Sequence, residues 1–503
     1  MNSISTESLA TFTSFAAETF GDKAAFDFPD RSLSFQEIDN LAARFAGGLV
    51  AQGLGPGDVV VLYLPNGWEW VVAYHAIARM GAAVVPANIL LSVEEVVFIL
   101  GHSQAKALIC PAERSDSLQS ADANFVTFPV GGNDQSFNDL LGAPPVTPCD
   151  RSPNDLFTIG YTSGTTGRPK GAMLTHGNIF ASVAATATMH VRATHDVVIS
   201  SLPFPHVYGN VVMNATFLTG AQLVSTPRFD PGEALRLIAE KRGTFFEGVP
   251  TMYYQMLAHP SIREADLSSL TRCTVGGQTM PSAAIEAVTE RFGCPLLELW
   301  GMTEIAGPAI THSPYWPQRS GSIGLPLPGM EARIGNADGR GDAPAGTPGE
   351  LFVRGPQIMA GYLHDPSATA ATIDDEGWLA TGDIGIRDSS GFFSIVDRKK
   401  DVIITGGYNI YPAEIEQIIA THPDVVMSAV VGIPDDEKGE LACAAVVVKD
   451  GARVLPGDII QHCRQHLATY KAPRQVMLVN DLPRTSTGKI MRRAIPTLFD
   501  KAG

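Results

Sequence analysis

Apolar and polar positions follow two different periods in the N-terminal half of the chain. The segment Leu41–Val50 has its apolar residues at helical spacing, whereas Val59–Leu64 is a continuous apolar run rich in valine. The same order returns in Trp68–Met80, which stops before Gly81, and in Ala83–Val85, which stops before Pro86. Apolar strands that alternate with helices are typical of parallel sheet covered on both faces. The pattern predicts an α/β fold built of sheet and helix layers.

The pattern changes near residue 398. Five consecutive charges, Asp397 to Asp401, stand between apolar segments. About 100 residues follow with two strand-like and two helical runs, namely Val425–Val431, Ala442–Val448, Ala413–Ala420 and Pro456–Leu467. We therefore predict a large N-terminal domain of layered sheets and helices, 1–397, and a small α+β C-terminal domain, 398–503. One continuous domain with a charged surface turn at 397–401 is the alternative.

Length and charge narrow the function classes. A chain of 503 residues is too long for one hydrophobic core. A formal net charge of −16 argues against general nucleic-acid binding, which needs a basic face, but leaves room for a small anionic substrate. Apolar runs fall short of the roughly 20 residues that span a bilayer, and the first residues lack signal-peptide character. We expect no membrane span and a cytoplasmic location.

The strongest local signal is a loop rich in glycine and hydroxyl residues after the strand-like segment Leu156–Gly160. It reads Tyr161-Thr162-Ser163-Gly164-Thr165-Thr166-Gly167-Arg168-Pro169-Lys170-Gly171. Such a loop can turn N–H groups and hydroxyls inward to form an anion site suited to phosphate oxygens. The spacing departs from the Walker pattern because Pro169 precedes Lys170. From these residues alone, a phosphate-binding loop and an ordinary surface loop both stay open.

Taken with later segments, the loop resembles the phosphate-loop signature of the acyl-CoA synthetase (adenylate-forming) superfamily. Four further segments are similar to that superfamily in the same order: Leu299-Trp300-Gly301-Met302-Thr303-Glu304, Thr381-Gly382-Asp383, the stretch from Asp397 to Glu416, and Pro483-Arg484-Thr485-Ser486-Thr487-Gly488-Lys489. The resemblance covers 162–489, and residues 1–150 carry no catalytic signature. It implies activation of a carboxylic acid by ATP as an acyl-adenylate, followed by transfer to coenzyme A.

The resemblance also implies roles for individual residues. Glu304 would ligate Mg²⁺, a hard cation that favours carboxylate and phosphate oxygens, and Thr303 would donate to the α-phosphate. A capping pair at a helix N-terminus is the alternative for Thr303 and Glu304. The other residues predicted to hold ATP are Thr162, Ser163, Gly164, Thr165, Thr166, Gly167, Lys170, Gly277, Gln278, Trp300, Gly301, Asp383 and Arg398. Of these, Asp383 and Arg398 would hold the ribose, and Trp300 would stack on adenine unless it is a plain core aromatic.

The C-terminal segments acquire a mechanism only through the resemblance. Lys489 would place its ammonium between the attacking carboxylate and the α-phosphate. The resemblance implies that the C-terminal domain is mobile and rotates about Lys400 between the two half-reactions. In the second orientation Gly406, Gly407 and Tyr408 would line a tunnel for the pantetheine arm of CoA. For Arg398, an ordinary surface ion pair with Asp397 or Asp401 is the alternative interpretation.

The identity of the acid is the least determined property. In this family three segments form the acyl pocket; here they are 203–210, 245–254 and 275–280, and their lining is apolar and aromatic with small residues at 276, 277 and 301. His206 would be the gating aromatic beside the carboxylate, or a structural histidine. We favour a fatty acid, with cinnamate- or benzoate-type aryl acids as the alternative. Segment 245–256 lacks a cation for a second carboxylate, which disfavours malonate.

Two rival functions stay open at this stage. One is transfer of the acyl group from the adenylate to a carrier protein instead of CoA. The other is a nucleotide-sensing or CoA-binding protein with a decayed site, although every aligned catalytic position holds a competent residue. The expected partners are a small carboxylic acid, ATP and CoA, and the family suggests a homodimer.

Overall fold

The described residues of the chain form four β-sheets in this computed structural model. The structure describes residues 8–121, 124–132, 136–162, 169–336, 341–405, 408–435, 438–449, 451–484 and 490–500. None of the helices in these ranges combines the length and the apolar character needed to cross a bilayer.

The α-helices of the described residues are α1 (Phe12–Phe20), α2 (Phe35–Ala51), α3 (Trp68–Arg79), α4 (Val93–Ser103), α5 (Ala112–Ala121), α6 (Ser136–Leu141), α7 (His176–Met189), α8 (Val207–Thr219), α9 (Pro231–Glu240), α10 (Pro250–Ala258), α11 (Ser282–Phe292), α12 (Pro366–Thr372), α13 (Pro412–Ala420), α14 (Pro456–His466) and α15 (Pro496–Asp500). Short 3₁₀ helices span Leu9–Thr11, Pro260–Arg263, Thr303–Ile305 and Arg492–Ala494.

The strands are β1 (Ala24–Asp27), β2 (Ser32–Ser34), β3 (Val59–Leu62), β4 (Ala83–Pro86), β5 (Ala107–Pro111), β6 (Val126–Val130), β7 (Leu156–Thr162), β8 (Lys170–Thr175), β9 (Val197–Ile199), β10 (Gln222–Val224), β11 (Phe245–Gly248), β12 (Arg272–Gly276), β13 (Leu296–Met302), β14 (Gly307–Thr311), β15 (Leu325–Pro326), β16 (Glu331–Ile334), β17 (Gly349–Arg354), β18 (Gly361–Tyr362), β19 (Leu379–Arg387), β20 (Phe393–Arg398), β21 (Ile403–Thr405), β22 (Tyr408–Ile410), β23 (Val425–Asp435), β24 (Gly439–Val448) and β25 (Gln475–Leu478).

Two mixed sheets with parallel centres form most of the N-terminal part. One has the order β15-β14-β13-β12-β11-β9-β10-β1-β2 and the other β18-β8-β7-β4-β3-β5-β6. Their central pairs, such as β12 with β13 and β3 with β4, are parallel. The predicted alternation of helix and buried strand is confirmed by α2, β3, α3 and β4, although β3 ends two residues earlier than its apolar run.

Local sequence explains where these elements begin and how they pack. Ser34 and Glu37 form a reciprocal capping box that starts α2. Helix α3 is buried along its whole length, so it is apolar on most sides rather than along one stripe. Gly81 follows it with a φ of +79°, a conformation in which a residue without Cβ meets no strain.

The remaining two sheets are smaller. An antiparallel sheet in the order β16-β17-β19-β20 follows the two large sheets along the chain. The last sheet, β22-β21-β24-β23 with β25 added beside β24, forms the C-terminal part with α13 and α14. The strands and helices predicted there from the sequence are confirmed. Tyr254 of α10 packs against the apolar cluster of this last sheet, so the two parts of the chain touch.

Candidate active site

The glycine-rich loop connects the two strands of a hairpin. Strands β7 and β8 are antiparallel, and Thr162 is paired with Lys170 across the hairpin end. The loop therefore starts at the end of a strand, as the sequence predicts. Its predicted phosphate-binding residues Ser163, Gly164, Thr165, Thr166 and Gly167 lie outside the described residues.

Lys170 and Glu304 meet through Tyr362. The Lys170 Nζ atom is 5.0 Å from the centre of the Tyr362 ring and 4.0 Å from Oδ2 of Asp365. The Tyr362 hydroxyl donates a hydrogen bond of 2.9 Å to Glu304 Oε1. Burial, together with the neighbouring Glu304 carboxylate, raises the pKa of Tyr362. The phenol thus stays protonated and holds the Glu304 carboxylate in place.

Thr303 and Glu304 belong to a three-residue 3₁₀ helix that continues strand β13. Its N-cap residue is Met302 and no side chain caps it, so the alternative that Thr303 and Glu304 form a capping pair is wrong. Thr303 packs directly on the loop hairpin, because a Cβ added to Gly160 of β7 would lie 2.6 Å from Thr303 Cγ2. The Glu304 carbonyl accepts a hydrogen bond from the Met359 N–H at 2.9 Å. These contacts fix the segment against the base of the loop.

Trp300, Asp383 and Arg398 form a second group beside the first. The Trp300 indole N–H donates to Asp383 Oδ2 at 2.7 Å, and Arg398 Nε lies 3.0 Å from Asp383 Oδ1. Asp383 and Arg398 are direct partners on β19 and β20. The expectation of a surface ion pair between Arg398 and Asp397 or Asp401 is therefore wrong. Trp300 is buried in the core and bonded to Asp383, and its stacking on adenine stays a prediction.

The turn before Asp383 is held by hydrogen bonds that the three-letter motif itself supplies. The Thr381 hydroxyl donates to the Leu351 carbonyl at 2.7 Å and accepts from the Asp383 N–H at 3.1 Å. Gly382 has a φ of +72°, a conformation that favours glycine, and its N–H donates to Glu350 Oε1 at 3.1 Å. These bonds and the positive φ account for threonine and glycine at this turn, which places the Asp383 carboxylate on its buried side.

The small residues of β12 and β13 do not leave depth as expected. A Cβ on Gly276 would lie 2.2 Å from Leu299 Cδ1, and a Cβ on Gly301 would lie 2.1 Å from the Gly307 carbonyl oxygen. Leucine and backbone therefore already fill the space over these glycines. Gly277, with a φ of +87°, and Gln278 follow β12 and lie next to β13, the strand of Trp300.

A cavity of about 60 Å³ lies instead between the loop hairpin and helix α8. Its apolar lining comes from Pro86, Leu174, Ile179, Pro205, Val207 and Ala306, and its polar lining from Thr158, Gly160, Tyr161, His206, Asn210 and Thr303. Only the first of the three predicted acyl-pocket segments contributes to it; the second and third do not. His206 borders the cavity, and its Nδ1 accepts a hydrogen bond from the Tyr208 N–H at 3.3 Å. Its role as the gating aromatic beside the carboxylate stays a prediction.

The C-terminal candidates lie in exposed positions. Lys400 is exposed in the turn between β20 and β21, and Tyr408 is exposed with its ring 4.9 Å from that of Tyr470. Gly406, Gly407 and Lys489 lie outside the described residues.

The base of the lysine loop is nevertheless defined. Arg484 and Ile490 form an antiparallel bridge across it, and the Met491 N–H donates to the Pro483 carbonyl at 2.7 Å. Just after it, Arg492 makes two hydrogen bonds of 2.6 and 2.8 Å to Glu416 of α13. The loop that carries Lys489 is therefore anchored to α13.

Asp397 anchors the other side of the same helix. Its Oδ2 accepts from the Ala413 N–H in the first turn of α13 at 2.9 Å, and its Oδ1 accepts from the Arg398 N–H. Burial raises the pKa of Asp397 to about 6, and the charge of Arg492 opposes that rise. The start of α13 thus joins the charged turn to the lysine loop.

Sequence reasoning missed four residues of this region. Tyr362 holds Glu304, Glu350 holds the turn before Asp383, and Thr158 and Asn210 line the cavity. Each acts on a partner far away in the chain or through tertiary burial. Local motifs carry no such signal, and only an alignment of pairs in contact would reveal it.

Known enzymes are similar to this chain along most of its length. The AMP-binding enzyme family model matches residues 14–363, and that of the AMP-binding enzyme C-terminal domain matches residues 414–489. A long-chain-fatty-acid–CoA ligase of Bacillus subtilis (strain 168) is 34% identical, over 97% of this chain and 94% of that protein. A feruloyl-CoA synthase of Amycolatopsis sp is 36% identical, over 93% and 94%. The crystal structure of ATP-bound MatB from Rhodopseudomonas palustris superposes with a TM-score of 0.92 and 30% identity, over 98% and 99%.

Proposed function

Because the chain belongs to the AMP-binding enzyme family and is an acid–CoA ligase, we propose that it activates an acid with a mainly apolar tail, of the fatty-acid type. The acid and ATP give acyl-AMP and pyrophosphate, and CoA then gives acyl-CoA and AMP. The observation that carries the choice of acid is the cavity, half of whose lining residues are apolar and whose lining includes Thr303 and His206.

The first half-reaction joins two anions, the carboxylate and the α-phosphate. Thr303 would donate to the α-phosphate, and the 162–170 loop with Lys170 would hold the phosphates that leave. Asp383 would accept the ribose hydroxyls, supported by the Trp300 N–H and by Arg398. Lys489 would bring the cation that offsets the growing negative charge.

Glu304 fits the magnesium site that the family implies. Its carboxylate is buried and is oriented by the Tyr362 hydroxyl, and carboxylate oxygen is a ligand type that Mg²⁺ favours. Among the described residues no three His, Cys, Asp or Glu side chains converge on one point. Glu304 would thus share the ion with phosphate oxygens, as is usual for Mg²⁺ bound together with a nucleotide. The bound ion would neutralise phosphate charge.

The second half-reaction requires Lys489 to leave and CoA to enter. We take residues 398–503 as the moving unit and Lys400 as its pivot. The exposure of Lys400 and Tyr408 supports this view, as does the bond from Arg492, just beyond the lysine loop, to Glu416 of α13. The bond from the Ala413 N–H to Asp397 crosses the boundary of the unit and would have to break in the rotation. Gly406, Gly407 and Tyr408 would then line the path of the pantetheine arm.

A second carboxylate on the substrate fits poorly. Arg192, which contacts the second acyl-pocket segment, is already paired with Glu247 in the buried core. Breaking such a buried pair to bind malonate would leave Glu247 as an uncompensated charge. Aryl acids remain the alternative, favoured by the feruloyl-CoA synthase among the relatives.

The test is AMP release measured with and without CoA across short, medium and long alkanoic acids, aryl acids and dicarboxylic acids. We expect CoA-dependent release that is greatest with monocarboxylic acids of apolar tail. Transfer only to a phosphopantetheinyl protein would contradict the choice of CoA, and a preference for malonate would contradict the choice of acid. A homodimer stays a prediction from the family, to be checked by light scattering.

A further inference from the structure

Tyr254 of α10 packs against the hydrophobic cores of both parts of the chain. On one side it contacts the N-terminal cluster built from strands β9 to β13 and helices α9 to α11. On the other side it contacts the apolar cluster of the C-terminal sheet. No other hydrophobic side chain among the described residues is shared in this way between clusters of the two parts.

The residue before it fixes the helix from which Tyr254 projects. Tyr253 is fully buried, and its hydroxyl donates to the Thr274 carbonyl of β12 at 2.6 Å. Tyr254 is rotated by about 100° around the helix relative to Tyr253, and it reaches the C-terminal cluster instead of the sheet. Tyr254 is also the last residue of the second predicted acyl-pocket segment, 245–254. One rigid helix thus connects that segment to the C-terminal part.

The cluster on the C-terminal side contains both ends of the lysine loop. Leu482 and Ile490, the residues on either side of segment 483–489, both belong to it. Glu416 of α13, which holds the chain just beyond that loop, is also close: burial and then the Glu416 charge raise the pKa of Tyr254. In addition, α13 approaches α11 of the N-terminal part. The contact made by Tyr254 therefore lies at the base of the loop that carries the catalytic lysine.

We propose that Tyr254 is a positioning residue, which holds the C-terminal part in the orientation that brings Lys489 to the acid. The inference rests on the proposed function, because it assumes that Lys489 serves adenylation and that residues 398–503 rotate afterwards. Tyr254 would act not on the reacting atoms but through the cluster at the ends of the lysine loop. Loss of its ring would lower the population of this orientation, and the rate of adenylation would fall in proportion.

A single aromatic side chain suits a contact that must form and break in every catalytic cycle. A large hydrophobic interface would lock the two parts together, whereas a small one leaves their relative motion possible. A tyrosine ring supplies much apolar contact area with few rotatable bonds, and its hydroxyl tolerates water when the contact opens. Tyr254 is only partly buried in the present orientation, which agrees with such a role.

The experiment measures each half-reaction by rapid quench in Tyr254→Ala and Tyr254→Phe. We expect Tyr254→Ala to lower the rate of adenylate formation about tenfold, as when an aromatic anchor is removed from an interface, with an unchanged KM for the acid. Thioester formation from supplied acyl-AMP should be retained or faster, which also shows that the variant is folded. Tyr254→Phe keeps the ring and should retain both rates.

Leu257→Ala is the matched control. Leu257 lies on the same helix and is also partly buried, but of the described clusters it packs only against the N-terminal one. This variant should leave the ratio of the two rates unchanged. An equal loss of both half-reactions in Tyr254→Ala, or the same change of ratio in Leu257→Ala, would overturn the proposal.

Trypsin cleavage after the exposed residues Lys399 and Lys400 separates this inference from the proposed function. Tyr254→Ala should speed this cleavage severalfold, because the C-terminal part opens more often, and Leu257→Ala should not. If no acid supports adenylation but the difference in cleavage is found, the ligase assignment fails and the contact stands. If the wild type forms the adenylate, and neither its rate nor the cleavage responds to Tyr254→Ala, the inference fails and the ligase function stands.

Discussion

The two sides of the candidate site differ in how firmly they are held. On the nucleotide side, which we define as Trp300, Glu304 and Asp383, every side chain is buried and bonded to a partner from another strand or loop. On the C-terminal side, defined as Arg398, Lys400 and Tyr408, the side chains are exposed; Tyr408 is 61% exposed. The buried side is organised before substrate arrives, whereas the exposed side is tied to it only through the ion pair of Arg398 with Asp383 among the contacts described above.

This difference suits a ligase whose acyl-adenylate intermediate must meet a different set of residues in each half-reaction. Preorganised donors stabilise developing charge best when they need not move. A group that serves only one half-reaction must instead be withdrawn for the other. Helix α13, which is bonded to Arg492 beyond the lysine loop, would let residues 398–503 move as one body once its bond to Asp397 breaks.

The strongest test of the division is Lys489→Ala. We expect adenylate formation to fall by about a thousandfold, since removing one positioned transition-state donor costs about that much. Thioester formation from supplied acyl-AMP should be largely spared. Rapid-quench assays of each half-reaction make the measurement, with Lys449→Ala as the control, since the Lys449 ammonium only bonds the Pro423 carbonyl on the surface. Equal loss of both halves would contradict a lysine used in one orientation only.

On the buried side, Glu304→Gln should have the next largest effect. Loss of the carboxylate charge should raise the Mg²⁺ concentration needed for half-maximal adenylation. Tyr362→Phe removes only the hydrogen bond that orients the carboxylate, so its effect should be smaller, roughly 10-fold, as for other groups that orient a metal ligand. Glu331→Gln, at an exposed glutamate paired with Arg354, is the control. An unchanged Mg²⁺ requirement in Glu304→Gln would remove this residue from the proposed metal site.

The same contrast separates the features that could be predicted from the sequence from those that could not. The alternating helices and strands, and the strand before the glycine-rich loop, follow from local periodicity and turn residues. Thr303 and Asp383 were recognisable because their motifs are contiguous. The role of Tyr362 was not recognisable, because its partner Glu304 is 58 positions away in the sequence.

The pocket was the poorest prediction for a related physical reason. Glycine at 276 and 301 indicates free space only if no neighbour fills it, and Leu299 and the Gly307 carbonyl do fill it. Strand pairing and side-chain packing determine whether the space over a glycine is free, and neither can be predicted from a single sequence. The polar groups Thr158 and Asn210 were overlooked because they stand in apolar surroundings, where the pattern indicates plain core.

Substitution of the proposed pivot, Lys400, should have a smaller effect on turnover. Proline at position 400 fixes φ in the turn between β20 and β21, where the described turn bond runs from the Asp401 N–H to the Arg398 carbonyl and leaves the Lys400 N–H uninvolved. We expect Lys400→Pro to slow overall turnover about tenfold, about 1.4 kcal/mol in the barrier, with ATP binding near normal. Lys400→Ala is the control, and it should retain turnover because it removes only the side chain. Unchanged turnover in Lys400→Pro would argue against rotation at this residue.

The last effect is on stability rather than on turnover, and it concerns the pH dependence of the start of α13. Burial raises the pKa of Asp397 from the ordinary 3.8 to about 6, so between these values the folded chain binds a proton that the unfolded chain releases. Stability from this group is therefore present below pH 4 and is lost as pH rises through 6. Arg492 and Glu416 face the same carboxyl and oppose each other in sign.

At about 1.4 kcal/mol per unit of pKa, we expect a difference on the order of 1–2 kcal/mol between pH 4.5 and 7. Hydrogen exchange of the α13 amides in wild type and Asp397→Asn measures it. Because asparagine does not titrate, a difference between the two proteins that stays constant with pH would mean that Asp397 does not couple the charged turn to α13 in this way.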